Sequence, residues 1–311
     1  MSLKILNPGS LSLIQDSGRL GYQGIGVAVG GPMDEHAFAW ANRLLDNRPT
    51  AAQIEITLGG FQAEFTQEAH IALTGADTQA DLNGTRLKLW RTHHVPAGSI
   101  LKCKIMKQGM RAYLAVQGGF IAPEVLGSCA TVMRDELGGL EGAGKSLQKG
   151  DVIDYQPSSH RLLRQVPQAF IPRYFTPKSE LCILDVLACY QYSDFSLQER
   201  QRFFRSVYQV TPNSDRMGYR LAGDNIEYAG ESLISEGIAL GAIQIPSDGQ
   251  PIVLMADHQT IGGYPKIGCL TRMSVSKLAQ CPPGTKIRFQ LIDREQAEAE
   301  YRKMLTFFMP L

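Results

Sequence analysis

The chain has 311 residues, 44% hydrophobic and 20% charged, with 31 basic against 30 acidic side chains and a net charge of +1. That length suffices for two domains with cores of their own, and the near-neutral balance gives no electrostatic ground for a nucleic-acid or anionic-membrane partner. No run approaches the ~20 apolar residues of a membrane span, and the amino-terminal MSLKILNPGS has no apolar signal core, so a cytoplasmic protein is expected.

In chain order, the first structured signal is a helix over 34–46. It follows Pro32 and places Ala37, Phe38, Ala41, Leu44 and Leu45 on one face. Short β-branched runs bounded by Gly, Pro or Asn then predict strands within 55–65, 70–76, 99–105 and 111–120. The stretch from Tyr155 to Lys178, with QPSSH and Pro167, Pro172 and Pro177, reads as a linker. Ser196 and Glu199 form a capping box ahead of a helix reaching about Val207. A strand over 286–292 and a second box, Asp293 with Gln296 ahead of EQAEAEYRKMLTFF, close the chain. The expected class is mainly β with a few α-helices.

A weak internal repeat runs through this pattern. Ser17-Gly-Arg19-Leu-Gly21-Tyr22 is echoed by Ser214-Asp-Arg216-Met-Gly218-Tyr219, and Ala52-Gln-Ile54-Glu-Ile56 by Ala242-Ile-Gln244-Ile245. Ile71-Ala-Leu73 is echoed by Ile252-Val-Leu254, and Pro96-Ala-Gly98-Ser99 by Pro282-Pro-Gly284-Thr285. Four echoes in one order point to two tandem copies of one β fold, at residues 1–165 and 166–311.

Several motifs fail on context. Gly139-Leu-Glu-Gly-Ala-Gly144-Lys145-Ser146 satisfies G-x-x-x-x-G-K-[ST], yet no buried strand precedes it and Gly150 interrupts any following helix, so a glycine-rich turn is expected. Gly24-Ile-Gly26-Val-Ala-Val-Gly30 has a spacing one residue too long for a dinucleotide loop and no βαβ unit around it. Ile105-Met106-Lys107 lacks the second Met of a biotin-attachment site, and Ser128-Cys129 has no recognisable triad companion. The six cysteines form no C-x-x-C pair and read as free reduced thiols. Neighbouring His93 and His94 point to opposite faces of a strand, so no metal site is expected.

Two constellations remain. One joins Asp16, Arg19 and Tyr22 to Gly30-Gly-Pro-Met-Asp34. The other gathers Ser214-Asp215-Arg216-Met217-Gly218-Tyr219, then Ser235-Glu236-Gly237, then Gln244 and its followers, then Asp257-His258-Gln259-Thr260-Ile261-Gly262-Gly263-Tyr264-Pro265-Lys266. Amide side chains beside glycines suit close approach to a small polar ligand; equally, such residues satisfy backbone groups in buried turns.

The strings QDSGRLGYQ, GPMDEHAFAWANRLL, EITLGG, RAYLAVQGG, GGLEG, SDRMGYRL and GQPIVLMADHQTIGGYP together resemble the allophanate hydrolase subunit 2, or biotin-dependent carboxyltransferase, family, and within it the 5-oxoprolinase branch. The resemblance runs from about Lys4 to about Asp293. It implies two tandem cyclophilin-like β-barrel domains, a cyclophilin-like B subunit and an A subunit as partners, and ATP, with Mg2+, used in the complex to open 5-oxo-L-proline to L-glutamate. Carboxyl transfer to urea, from biotin carried elsewhere than on this chain, is a second implied activity. A non-catalytic antagonist of a histidine-kinase inhibitor is a third. For the first activity the residue chemistry assigns Arg216 and Lys266 to a carboxylate or phosphate, and Gln244, Gln259, Thr260 and Tyr264 to the small amide. Asp257 or His258 would move a proton, with Asp16 and Arg19 as first-half candidates.

Overall fold

The computed structural model describes residues 1–156, 163–176, 181–230 and 233–308. QPSSH, apart from Gln156, and Pro177 of the expected linker lie outside them. The described chain is mainly β with four α-helices. It divides into two compact units, Met1–Leu20 with Gly30–Tyr174, and Gly21–Val29 with Phe175–Leu311.

The first unit has two sheets. The larger runs, in hydrogen-bonded order, Phe120–Ile121, Val152–Tyr155, Ser2–Pro8, Phe61–Phe65, Ser99–Lys102, Asp81–Leu82 and Thr85–Arg86. The smaller runs Leu11–Gln15, Gln53–Thr57, Arg111–Val116, Ala69–Gly75 and Thr92–Val95. Leu3, Ile5, Phe61 and Phe65 from one sheet and Ile54, Ile71 and Leu114 from the other share one core. The expected strand within 55–65 is two strands, one in each sheet, joined at a corner of three left-handed residues, Leu58, Gly59 and Gly60. A Cβ on Gly59 would lie 2.1 Å from the Lys104 carbonyl oxygen, so only glycine fits that corner.

Helix α1 (Glu35–Leu44) covers the outer face of the smaller sheet. Asp34 caps it, accepting from the Ala37 amide at 3.0 Å, and Ala37, Phe38, Ala41 and Leu44 are buried as their spacing predicts. Covered on both faces, strands Ala69–Gly75 and Arg111–Val116 are buried at every position.

The second unit is a closed barrel of Cys182–Ala188, Lys266–Leu270, Ala242–Gln244, Ile252–Leu254, Gly218–Ala222, Tyr208–Ser214 and Lys286–Leu291, returning to Cys182–Ala188 through a parallel pair. Cys182, Leu184 and Val186 alternate inward, and Phe203 of α2 (Leu197–Arg205) stacks on Phe289 at 4.6 Å. Ser196 caps α2 as expected, but the Glu199 carboxylate accepts from the Glu227 amide instead of reaching back, so the box is half formed. Helix α3 (Arg272–Leu278), capped by Thr271, had no clear sequence signal; α4 (Arg294–Phe308) starts at Asp293, which accepts from the Gln296 amide.

Outside the barrel, Glu236–Gly237 pairs with Ile261–Gly262 as a two-residue ribbon. The echoes locate matching strands only in part. Ala242–Gln244 and Ile252–Leu254 are direct neighbours, whereas Gln53–Thr57 and Ala69–Gly75 are separated by Arg111–Val116. By pairing, Ala69–Gly75 is therefore not the first-unit counterpart of Ile252–Leu254, since only Leu11–Gln15 and Arg111–Val116 flank Gln53–Thr57, and the similarity of Ile71–Leu73 to it reflects shared buried β-strand composition.

Candidate functional site

The second unit carries a cleft of about 550 Å3, within the range of small-molecule sites. Asn225, Glu227, Tyr228, Ser247, Asp248 and Tyr264 are the polar residues of its lining, which includes two acidic residues and no Lys, Arg or His among the described residues. Of the residues given a role from sequence, Tyr264 alone lines it, although the followers of Gln244, Ile245 to Gly249, and Gly263 and Pro265 of the same constellation line it too. Gln244 and Lys266 lie one residue away, next to the lining residues Ile245 and Pro265.

The barrel strands fix what stands behind that wall. Lys266 begins the strand Lys266–Leu270 and is 3% exposed. Its ammonium pairs with Glu236 and donates to the Tyr264 carbonyl at 3.3 Å. Its amide donates to Gln191 Oε1 at 2.8 Å, and Gln191 Nε2 donates to Glu236 Oε1 at 2.9 Å. Tyr190 also hydrogen-bonds Glu236. Burial pushes the Glu236 carboxyl up, but the hydrogen bonds from Lys266 and Tyr190 and the Lys266 charge outweigh it, and the carboxyl sits below its usual range. The same hydrogen bond, with burial and the Glu236 charge, drives the Tyr190 phenol up to about 12.

The glutamine amides meet at Gly262. A Cβ there would lie 2.6 Å from Ile238 Cδ1, 3.2 Å from Gln259 Nε2 and 3.6 Å from Gln244 Nε2. Gln244 is 2% exposed, and its Nε2 has no hydrogen-bond partner. A buried donor left unmade costs ~1–3 kcal/mol, which an acceptor on an incoming ligand would recover. Thr260 is buried, and its carbonyl accepts from the Ile238 amide at 3.0 Å.

Arg216 and Asp257 hold each other. Arg216 Nε and a terminal nitrogen each donate to one Asp257 oxygen at 2.8 Å, with both side chains 5% exposed. The Asp257 amide also donates to the Arg216 carbonyl, so the pair ties the 214–218 turn to the 255–258 turn. His258 places Nδ1 2.6 Å from the Met255 carbonyl oxygen and Nε2 3.3 Å from that of Ile238. The imidazole thereby links the barrel to the ribbon.

The first-half candidates do a different job. Asp16 accepts from the Ser128 hydroxyl at 2.6 Å, the Cys129 amide at 2.8 Å and the Gly18 amide at 2.9 Å. Arg19, 1% exposed, donates to the carbonyls of Val125, Ser128 and Ala130. Together they fasten the 125–130 loop. Sequence reasoning passed over a nearby buried cluster: Tyr113 donates to Glu55 at 2.7 Å and accepts from the Asp34 amide at 2.7 Å, while Arg111 pairs with Glu55 at 3.8 Å. The signal was charged and phenolic residues inside otherwise apolar strands, EIT and RAYLAV.

The family model of the carboxyltransferase domain, subdomain A and B, matches residues 25–291. The chain belongs to this carboxyltransferase family. It is 36% identical over 302 residues to the 5-oxoprolinase C subunit of Haemophilus influenzae, covering 97% of this chain and 94% of that one. To the 5-oxoprolinase C subunit of Escherichia coli it is 37% identical, over 95% of this chain and 93% of that one. The urea amidolyase of Saccharomyces cerevisiae is 31% identical across 96% of this chain, which spans 17% of that enzyme. The crystal structure of the Kluyveromyces lactis urea amidolyase superposes with a TM-score of 0.91 at 29% identity, over 99% of this chain and 20% of that one.

For a carboxyltransferase-family chain the phosphate-loop string needs its own test. The amides of Gly139, Gly142 and Gly144 donate to Cys129, Gly139 and Gly138 carbonyls, and Lys145 pairs with Glu141 at the surface. Those amides are spent on backbone carbonyls and the next element is the strand Val152–Tyr155, not a helix, so the string does not fit a nucleotide. Among the described residues no three His, Cys, Asp or Glu side chains gather as metal ligands, and no helix is long and apolar enough to cross a membrane.

Proposed function

We propose that this chain is the C subunit of an ATP-dependent 5-oxoprolinase, opening 5-oxo-L-proline to L-glutamate together with A and B subunits. The observation that carries this reading is the near end-to-end match to proteins of that name, against a match to only a small part of the urea amidolyases. Opening an unactivated amide faces a high barrier, and coupling to ATP supplies the driving force in the complex. Since the 139–146 loop does not fit a nucleotide, ATP is assigned to another subunit. This chain's part is to bind and orient. Gln244 Nε2, buried and unpartnered, and Gln259 beside Gly262 present amide donors for the lactam oxygen. Lys266 supplies positive charge for the substrate carboxylate. Tyr264 walls the cleft, and the Arg216–Asp257 pair and His258 fix the turn at 255–258 that leads into Gln259.

The test is reconstitution. The purified complex of all three subunits, given 5-oxoproline and ATP, is expected to release glutamate; release no greater than from A and B alone contradicts the reading. A second reading, carboxyl transfer to urea from biotin held on another protein, is favoured by the fit to the urea amidolyase structure. Transfer of labelled carboxylate from carboxybiotin to urea by this chain with its partners would replace the first reading.

A further inference from the structure

The lining of the cleft and the charge of the proposed substrate are at odds. Glu227 and Asp248 would repel a carboxylate, and Lys266, which follows the lining residue Pro265, is already matched by Glu236. The pair is lopsided: the Lys266 side chain is 4% exposed and the Glu236 side chain 28%. The carboxylate thus lies outside the ammonium, as a cover. Three donors of different kinds converge on it, the Lys266 ammonium, the Gln191 amide and the Tyr190 hydroxyl. Such a set suits one carboxylate, whose two oxygens together accept several donors.

We propose that Glu236 stands in a carboxylate-binding position built from Lys266, Gln191 and Tyr190, and that a small carboxylate-bearing ligand takes this position when Glu236 swings out. The inference rests on the substrate-binding role given to Lys266 above. A buried ammonium left without a counter-ion is costly, so a ligand-free protein needs a resident carboxylate there. Glu236 is held by a ribbon of two residue pairs, Glu236 with Gly262 and Gly237 with Ile261. Ile234 beside it is 90% exposed, and nothing lies within 4 Å of where a Gly237 Cβ would be. A strand pair this short is marginal by itself and opens at small cost. Gly263, next to the Glu236–Gly262 pair, and Leu233, whose carbonyl lies 3.7 Å from a Cβ placed on Gly263, line the cleft, so outward movement joins the position to it.

Occupation by Glu236 lowers the apparent affinity for an external carboxylate by the fraction of time the position is filled. The test uses the full chain as wild type, Glu236→Ala, Glu236→Gln and Lys266→Met. The probes are glutarate, its neutral counterpart glutaramide, and L-5-oxoproline. Binding is read by NMR titration, and Lys266 reactivity by acetic anhydride labelling with peptide mass spectrometry. Glu236→Ala is expected to bind glutarate about tenfold more tightly than wild type, with Lys266 labelled faster and protected by glutarate but not by glutaramide. Lys266→Met is expected to lose glutarate binding. If Glu236→Ala misfolds, Glu236→Gln carries the test with a smaller gain of the same sign. Unchanged or weaker glutarate binding in a folded Glu236 variant, or wild-type binding by Lys266→Met, overturns the proposal. Glutarate bound without 5-oxoproline upholds the carboxylate position and contradicts the substrate reading.

Discussion

At the residue scale, His36 shows how burial sets chemistry. Its ring lies between Trp40 and Trp90, and the Trp40 indole N–H donates to Nε2 at 3.1 Å. Burial holds its pKa down at about 4, against an ordinary 6.5. The folded state therefore prefers the neutral ring, while the unfolded chain takes up a proton below about 6.5. The resulting stability is complete above pH 6.5 and is lost as pH falls toward 4. Chemical denaturation of wild type and His36→Leu from pH 7.5 to 4.5 is expected to show wild type losing ~2 kcal/mol more than the variant over that range. Parallel pH profiles would contradict it. The same scale explains which site residues were legible. Arg216, Asp257, Gln244, Gln259 and Lys266 stand out as polar groups in an apolar, glycine-rich context. Glu236 stood in the same constellation, but its role did not show, because its partners Gln191 and Lys266 are 45 and 30 residues away and no local pattern encodes the pairing.

At the element scale, local chemistry was read well where one segment determines the outcome. The α1 face and the caps at Ser196 and Asp293 depend on residues within four positions of each other, and each forms. The reciprocal halves of the two capping boxes do not form, because Glu199 finds the Glu227 amide and Gln296 finds Glu300. Helix α3 escaped notice because seven residues, RMSVSKL, are too few to show a period. The corner at Gly59 is a tertiary requirement. Gly59→Ala is expected to cost several kcal/mol, from the left-handed backbone and the collision with Lys104 combined. Gly150→Ala, also left-handed but with nothing within 4 Å, should cost only about 1 kcal/mol. Urea denaturation of both variants checks the difference, and equal losses would contradict the steric account.

At the scale of the whole molecule, the repeat disclosed two β units but not their topology. One is a closed seven-stranded barrel, and the other is two sheets around a shared core. Echoes such as Ile71–Leu73 with Ile252–Leu254 arise from composition that any buried strand shares, so the pairing of strands, a long-range property, is not encoded in them. The repeated Arg shows how far the copies have diverged. Arg19 is spent on three carbonyls of the 125–130 loop, while Arg216 grips the carboxylate of Asp257, two residues before Gln259. The functional reading places ligand chemistry in the second unit, behind a cleft whose own lining is acidic. Its most direct test is ATP-dependent glutamate release by the three-subunit complex carrying Lys266→Met, with assembly verified by size-exclusion chromatography. Loss of a charge-assisted carboxylate contact predicts a fall in kcat/KM of about 100-fold, chiefly through KM. An assembled Lys266→Met complex turning over 5-oxoproline at the wild-type rate would contradict the account.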